Sequence, residues 1–312
     1  MTIAVRATYL LGATAAALAL GLAAPPAEAC SICRCGDATF NALGKDVTSE
    51  PGWRFAFDID RFSKTQGSPE AQDSVVEKRY TAVGAYTLGN RALLVARVPY
   101  AERWLDERVG DEVESSHASG LGDPEFSAQI RLWSSEFRGD LGRRLSFSTT
   151  FGVKTSWGEN EVGRAGVRLD EHVQPGTGST DPFLGVSGYY LLNTKSSLFA
   201  SVQRRLPGAN DFGYQYGDIS LVNFAYERKL SAKLDSVLEL NFRRSGRDRI
   251  DDTGAYDPDT GGEIVYLTPR VLVNVGAVVV RFAAQIPVVE NLYGVQSEKT
   301  VYNIGFTHSF GK

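Results

Sequence analysis

The chain has 312 residues, with 33 Lys and Arg against 37 Asp and Glu and a formal net charge of −4. This balance, with no basic tail, excludes nucleic acid as an expected partner. A hydrophobic fraction of 43% is too low for a bundle of membrane helices, whereas a transmembrane β-barrel hides its apolar half in alternation and resembles a soluble protein by composition.

Residues 1–29 read as a secretory signal. Arg6 supplies the positive end, Leu10 to Leu22 an apolar run, Pro25-Pro26 its stop, and Ala27-Glu28-Ala29 a small-x-small cleavage site. The run is too short and Ala-rich for a membrane anchor. Removal of Arg6 and Glu28 together leaves the net charge unchanged.

Residues 30–52 form a periplasmic N-terminal segment that holds every cysteine of the chain: Cys30, Cys33 and Cys35. No His follows the Cys-x-x-Cys pair, so haem attachment is not indicated. Four readings stand. Cys30, first after the cleavage site, is a position used for lipidation, leaving the other two for a disulfide. A simple disulfide suits an oxidising periplasm. Three close thiolates also suit a soft metal ion such as Cu(I) or Zn(II), with Asp37 or a redox or metal-carrying periplasmic partner completing the ligand set. The fourth is no function.

Residues 53–312 read as one domain, an all-β closed antiparallel transmembrane barrel of about 12 strands. Trp53, Phe55, Phe57 and Ile59 alternate with Arg54, Ala56, Asp58 and Asp60. Tyr80 to Leu88 follows, then a Gly89-Asn90 turn and a strand from Ala92 to Tyr100. A long charged loop is expected from Ala101 to Ser119. Strands then run from Glu125 to Trp133 and from Leu145 to Val153, with a second long loop from Thr155 to Thr180. Phe183 to Leu192, the Leu198–Val202 region, Ile219 to Arg228 and the Leu238–Phe242 region come next. Val265 to Val273, Val278 to Ile286 and Tyr302 to Phe310 complete the set.

The connections alternate short and long, and an even strand count brings both ends of the barrel to the short-turn side. In outer-membrane barrels that side is the periplasm. Trp53, Trp133 and Phe310 then fall near the periplasmic interface, and Tyr80, Tyr100 and Trp104 near the outer one, as amphipathic rings prefer.

The expected inward face is charged: Arg54, Asp58, Asp60, Arg97, Glu125, Arg131, Arg144, Lys154, Glu239, Arg243, Arg270 and Arg281. These residues either line a water-filled pore and set its selectivity or pair across a narrow lumen and plug it. Bases outnumber acids among them, which for an open pore favours anionic or polar-aromatic solutes. Gly122-Asp123-Pro124, Thr180-Asp181-Pro182 and Gly217-Asp218 open strands, and turn chemistry accounts for them. His117 and His172 read as solvated loop residues and His308 as an interfacial one. A lipid hydrolase built on His308 lacks an evident Asp or Asn partner, and no nucleophile elbow, phosphate loop or zinc-protease motif appears.

Gly120-Leu-Gly-Asp-Pro-Glu-Phe-Ser-Ala-Gln-Ile-Arg-Leu132, Gly176-Thr-Gly-Ser-Thr-Asp-Pro-Phe-Leu-Gly-Val-Ser187 and Val95-Ala-Arg-Val-Pro-Tyr100 resemble stretches of the outer-membrane family of meta-pathway phenol-degradation channels. The resemblance implies an outer-membrane barrel, not an enzyme, that passes a small hydrophobic or aromatic solute and contacts outer-membrane lipid. Two features depart from it: the ending Phe310-Gly311-Lys312, where such barrels usually finish on an aromatic residue, and the cysteine cluster. The alternative reading is an interaction barrel that docks a periplasmic redox or metal protein through that cluster.

Overall fold

A computed structural model describes residues 52–68, 70–89, 91–135, 144–250 and 254–310. The strands are β1 (Gly52–Ser68), β2 (Ala71–Leu88), β3 (Ala92–Val109), β4 (Glu112–Leu121), β5 (Glu125–Ser134), β6 (Arg144–Lys154), β7 (Gly163–Arg164) and β8 (Val167–Arg168). They continue as β9 (Asp181–Asn193), β10 (Ser196–Arg205), β11 (Ile219–Lys229), β12 (Leu234–Ser245), β13 (Gly262–Val275), β14 (Val278–Leu292), β15 (Gln296–Glu298) and β16 (Val301–Phe310).

Antiparallel pairing runs from β1 through β2, β3, β5, β6, β9, β10, β11, β12, β13, β14 and β16 and back to β1, which closes a barrel of 12 strands. Closure is direct, since Trp53 pairs with Phe310 on one side and Tyr86 on the other. Two staves of this wall are interrupted. β4 continues β5 along β3, and β15 continues β16 along β1. The break before β5 falls at Gly122-Asp123-Pro124, where proline removes a ladder donor.

Alternation is the reason this sequence makes strands. On β1 the outward Trp53, Phe55 and Phe57 are exposed while Arg54, Ala56 and Asp58 are buried. The same two-residue period puts Phe224 and Tyr226 outside against Asn223 and Ala225 on β11, and Leu238 and Leu240 outside against Glu239 and Asn241 on β12. An apolar exterior over a polar interior is the inverse of a soluble protein and suits a wall facing lipid.

The segment from Ala101 to Ser119, expected as a loop, is instead a hairpin. β3 and β4 stay paired to Val109 and Glu112, turning at Gly110 with a positive φ of 64°. β1 and β2 likewise remain paired out to Ser68 and Ala71, beyond the expected strand ends. The outward positions of these extensions carry Lys78, Glu102, Asp106 and Arg108, so lipid no longer selects apolar residues there and the apolar-run signal fades although hydrogen bonding continues.

Aromatic rings gather at both rims. Trp53 stacks on Phe55 at 5.9 Å and meets Tyr86 at 4.8 Å, Phe55 meets Phe310 at 5.7 Å, and Trp133 meets Phe147 at 6.0 Å. Towards the other rim Tyr80 and Tyr100, directly paired across β2 and β3, lie 6.4 Å apart.

Candidate functional site: the lumen and its mouth

The inward residues assemble into a belt of ion pairs. Arg281 on β14 reaches Asp58 on β1 at 2.7 Å and also bonds Thr307 on β16, the strand between them. Gly305 makes this possible: a Cβ there would lie 2.2 Å from Asp58 Oδ1 and 2.4 Å from Arg281 Nη2. Arg270 Nε lies 2.9 Å from Glu239 Oε1, and Asn241 Nδ2 donates to Glu239 Oε2 at 3.2 Å. Thr268 Oγ1 donates to Asn241 Oδ1 at 2.6 Å, and Asn241 Nδ2 to Asn223 Oδ1 at 3.1 Å. Arg243 pairs with Glu298, which also accepts from the Tyr266 hydroxyl. Arg205 on β10 pairs with Glu125 on β5.

The remaining expected residues take mixed places. Arg54 is buried and donates to Thr87 Oγ1 at 3.0 Å, and Asp60 accepts from Asn303 Nδ2 at 3.0 Å. Arg97 is the cross-strand neighbour of Glu125, and Arg131 faces inward opposite Ser148. Arg144 heads β6 opposite Leu191. Cys30, Cys33 and Cys35 lie outside the described residues.

Lys154 shows what the turn motifs do. Its ammonium lies 3.1 Å from Asp123 and 3.0 Å from Asp181, with Ser179 Oγ at 3.3 Å and Thr177 Oγ1 also bonded. Asp123 further accepts from the backbone N–H of Gly158 at 3.0 Å and of Thr177 at 2.7 Å. Turn chemistry alone therefore does not account for Asp123 and Asp181. They fix the 155–180 connection to the inside of the wall. Sequence reasoning missed both, together with Arg205 and Glu298, because a partner from a distant strand leaves no local spacing signal.

That connection is the centre of a cluster packed against the inside of the wall. Val173, Tyr214 and Tyr216 pack with the inward Val75, Leu105 and Ala118 of β2, β3 and β4. Arg103, held to Glu77 at 2.7 Å, donates to the Gln174 carbonyl. Asn210 ties the 206–218 connection to Glu171 and to the Thr177 carbonyl. The third connection joins through Asp248, which accepts from Tyr214 Oη at 2.6 Å and from the Gly217 N–H at 3.2 Å.

His172 sits among these ties rather than in solvent. Its Nδ1 lies 2.8 Å from Asp170 Oδ1 and its Nε2 3.3 Å from Tyr214 Oη. Burial by itself would lower its pKa, but the Asp170 hydrogen bond and charge, with Asp248 and Asp257 beyond, outweigh burial and raise it. Burial likewise opposes ionisation of Asp170, and the His172 contacts overcome it and hold that carboxyl at about 2. Asp73 and Glu107, directly paired on the extensions of β2 and β3, are both raised by burial first and then by acidic neighbours, among them Asp170. His117, expected in a loop, lies on β4 with its ring 5.0 Å from Trp104. His308 faces outward 4.1 Å from the Phe310 ring.

Towards the short-turn end the inner wall carries two apolar patches among buried polar residues such as Arg54, Thr87, Ser197 and Asp235. Ala56, Val83, Ala85, Leu93 and Val95 form one buried patch on β1, β2 and β3. Ala225, Val237 and Leu272, with Phe199 and Val279 packed against them, form another on β10 to β14, the opposite arc of the ring.

A closed 12-stranded antiparallel barrel, apolar outside and ion-paired inside, defines this chain as a β-barrel of the membrane-spanning class. Residues 63–281 match the family described as "Putative MetA-pathway of phenol degradation", and the chain belongs to that family. Among solved structures, the outer membrane channel from Pseudomonas putida F1 superposes with a TM-score of 0.64 at 12% identity, covering 84% of this chain and 96% of that one. The transport unit of the autotransporter AIDA-I from Escherichia coli gives 0.48 at 11% identity, covering 83% and 90%. The CymD monoaromatic hydrocarbon channel gives 0.46 at 8% identity, covering 91% and 95%. At such identities the likeness is one of fold. No curated protein matches the chain significantly.

Proposed function

We propose that this protein is a bacterial outer-membrane channel for passive passage of a small hydrophobic or aromatic solute. The short-turn end, where β1 begins and β16 ends, is assigned to the periplasm, and the mouth lined by the long connections to the cell exterior. The observation that carries the reading is the pairing of lumen charges above two apolar inner-wall patches. The excess of inward bases counted along the sequence is offset by acids from other parts of the chain: Glu298 for Arg243, Asp123 and Asp181 for Lys154. Paired charges project little net field along the axis, so the paired belt does not concentrate simple ions. The apolar patches offer an uncharged solute a surface it prefers to water.

The test is flux through the purified full chain in liposomes. An uncharged aromatic such as phenol is expected to equilibrate faster than in protein-free vesicles, with benzoate and a disaccharide lagging behind it. Equal rates for phenol with and without protein would overturn the reading.

A further inference from the structure

We propose that the outer wall made by β1 to β4 binds a phosphate of the outer-leaflet glycolipid, with Arg61 and Lys78 as its clamp. Arg61 and Lys78 are directly opposed residues of β1 and β2, both on the outward face. Like charges placed opposite one another destabilise a sheet, so an unmatched pair asks for a counter-ion. Neither residue forms an ion pair among the described residues, although Glu102 is the next residue along the row on β3. The contrast with the same rim elsewhere is direct. There, outward Arg204 pairs with Asp218 at 2.7 Å, and outward Arg244 lies 3.6 Å from Glu263.

Position along the wall identifies the ligand. One row nearer the barrel's middle, Tyr80 and Tyr100 mark the level where lipid chains give way to head groups. Tyr302, 60% exposed, flanks Arg61 on the other side. One row outward, Trp104 lies under the Lys78 ammonium at 5.1 Å, with the His117 ring beside it. Lys299 is exposed, and its backbone N–H donates to the Ser63 carbonyl at 3.0 Å, which adds a base at the edge of the patch. A guanidinium and an ammonium on one side of an interfacial tyrosine row match a phosphate monoester.

This inference rests on the orientation proposed above, which places the patch in the outer leaflet. The full chain in detergent is titrated with deep-rough lipopolysaccharide, its dephosphorylated form, phosphatidylglycerol and inorganic phosphate, and bound lipid is read by native mass spectrometry. The intact glycolipid is expected to be retained in preference to the other three. Arg61→Ser/Lys78→Ser is expected to retain it about tenfold more weakly, as loss of charge-assisted contacts implies. The same variant is expected to unfold together with the parent without lipid, because relief of the repulsion offsets loss of the Lys78–Trp104 contact. Equal retention of the dephosphorylated form, equal retention by the double variant, or stronger retention of phosphatidylglycerol would each overturn the proposal. Orientation is checked separately by labelling a cysteine placed at Asp111, in the β3–β4 turn, on intact cells. Absence of label on a folded barrel overturns the orientation and with it the outer-leaflet ligand, whereas label together with a failed detergent titration overturns the clamp alone.

Discussion

Arg281 and Asp58 form an ion pair over the top of Gly305, reaching across the whole width of β16. The pair joins the last long strand of the chain to the first and so fastens the seam where the barrel closes. Its strength depends on the empty position between the partners as much as on the charges.

Removing one partner leaves a buried charge without compensation. Asp58→Asn is therefore expected to cost about 3 to 5 kcal/mol, while the joint change Asp58→Leu/Arg281→Met costs much less. Gly305→Val is expected to resemble Asp58→Asn, since its side chain would occupy the path of the pair. The urea midpoint of the barrel, followed by tryptophan fluorescence, ranks the three. Equal midpoints for the single and double changes would show that the seam does not depend on this pair.

Lys154 holds Asp123 and Asp181 together and through them anchors the 155–180 connection. Lys154→Met brings two buried carboxylates face to face without a cation. The connection is expected to detach from the wall, with faster proteolysis between residues 155 and 180 and higher conductance in planar bilayers. Limited proteolysis separates this from global unfolding, because the strands stay protected.

The mouth should tighten in mild acid. His172 has a raised pKa, so its contribution is fully present below its ordinary 6.5 and is lost as pH rises through the raised value. Asp170 is depressed to about 2, so its contribution is present above its ordinary 3.8 and is lost as pH falls towards 2. Asp73 and Glu107, raised by burial and by acidic neighbours, add a penalty as pH climbs through their raised values. The ties among residues 170–174, Tyr214 and Asp248 are expected to be firmest between pH 3.8 and 6.5 and to loosen above it. Hydrogen exchange of the 170–174 amides at pH 5.5 and 8.5, corrected for intrinsic rate, measures this, and His172→Gln should flatten the difference.

Cys30, Cys33 and Cys35 precede the first strand. Replacing all three by Ser is expected to leave barrel stability and solute flux unchanged. The mass of the mature N-terminal peptide then distinguishes acylation, disulfide and bound metal in the parent protein. A loss of flux in the triple variant would tie the cluster to transport.

The fold was legible in the sequence because lipid imposes a local rule. Every second residue from Trp53 onward answers to the hydrocarbon outside or the lumen inside, so a two-residue period and a count of turns suffice for 12 strands. The rule lapses where the wall leaves the membrane. That is why the β3–β4 hairpin, held by backbone hydrogen bonds and lined outside by Glu102, Asp106 and Arg108, reads as a loop. His172 departs from the solvated environment its sequence context implies for a related cause. A histidine in a long polar connection looks solvated until that connection folds inward against Tyr214.

The sequence by itself determined which face each strand residue takes, because alternation is a property of neighbours along the chain. Only the tertiary structure decided which inward charges meet. Arg205 finds Glu125, Arg243 finds Glu298 and Arg281 finds Asp58 across separations of 80, 55 and 223 residues. Such partners are brought together by barrel closure, and the shear of the sheet sets their heights. No periodicity along the chain records that shear.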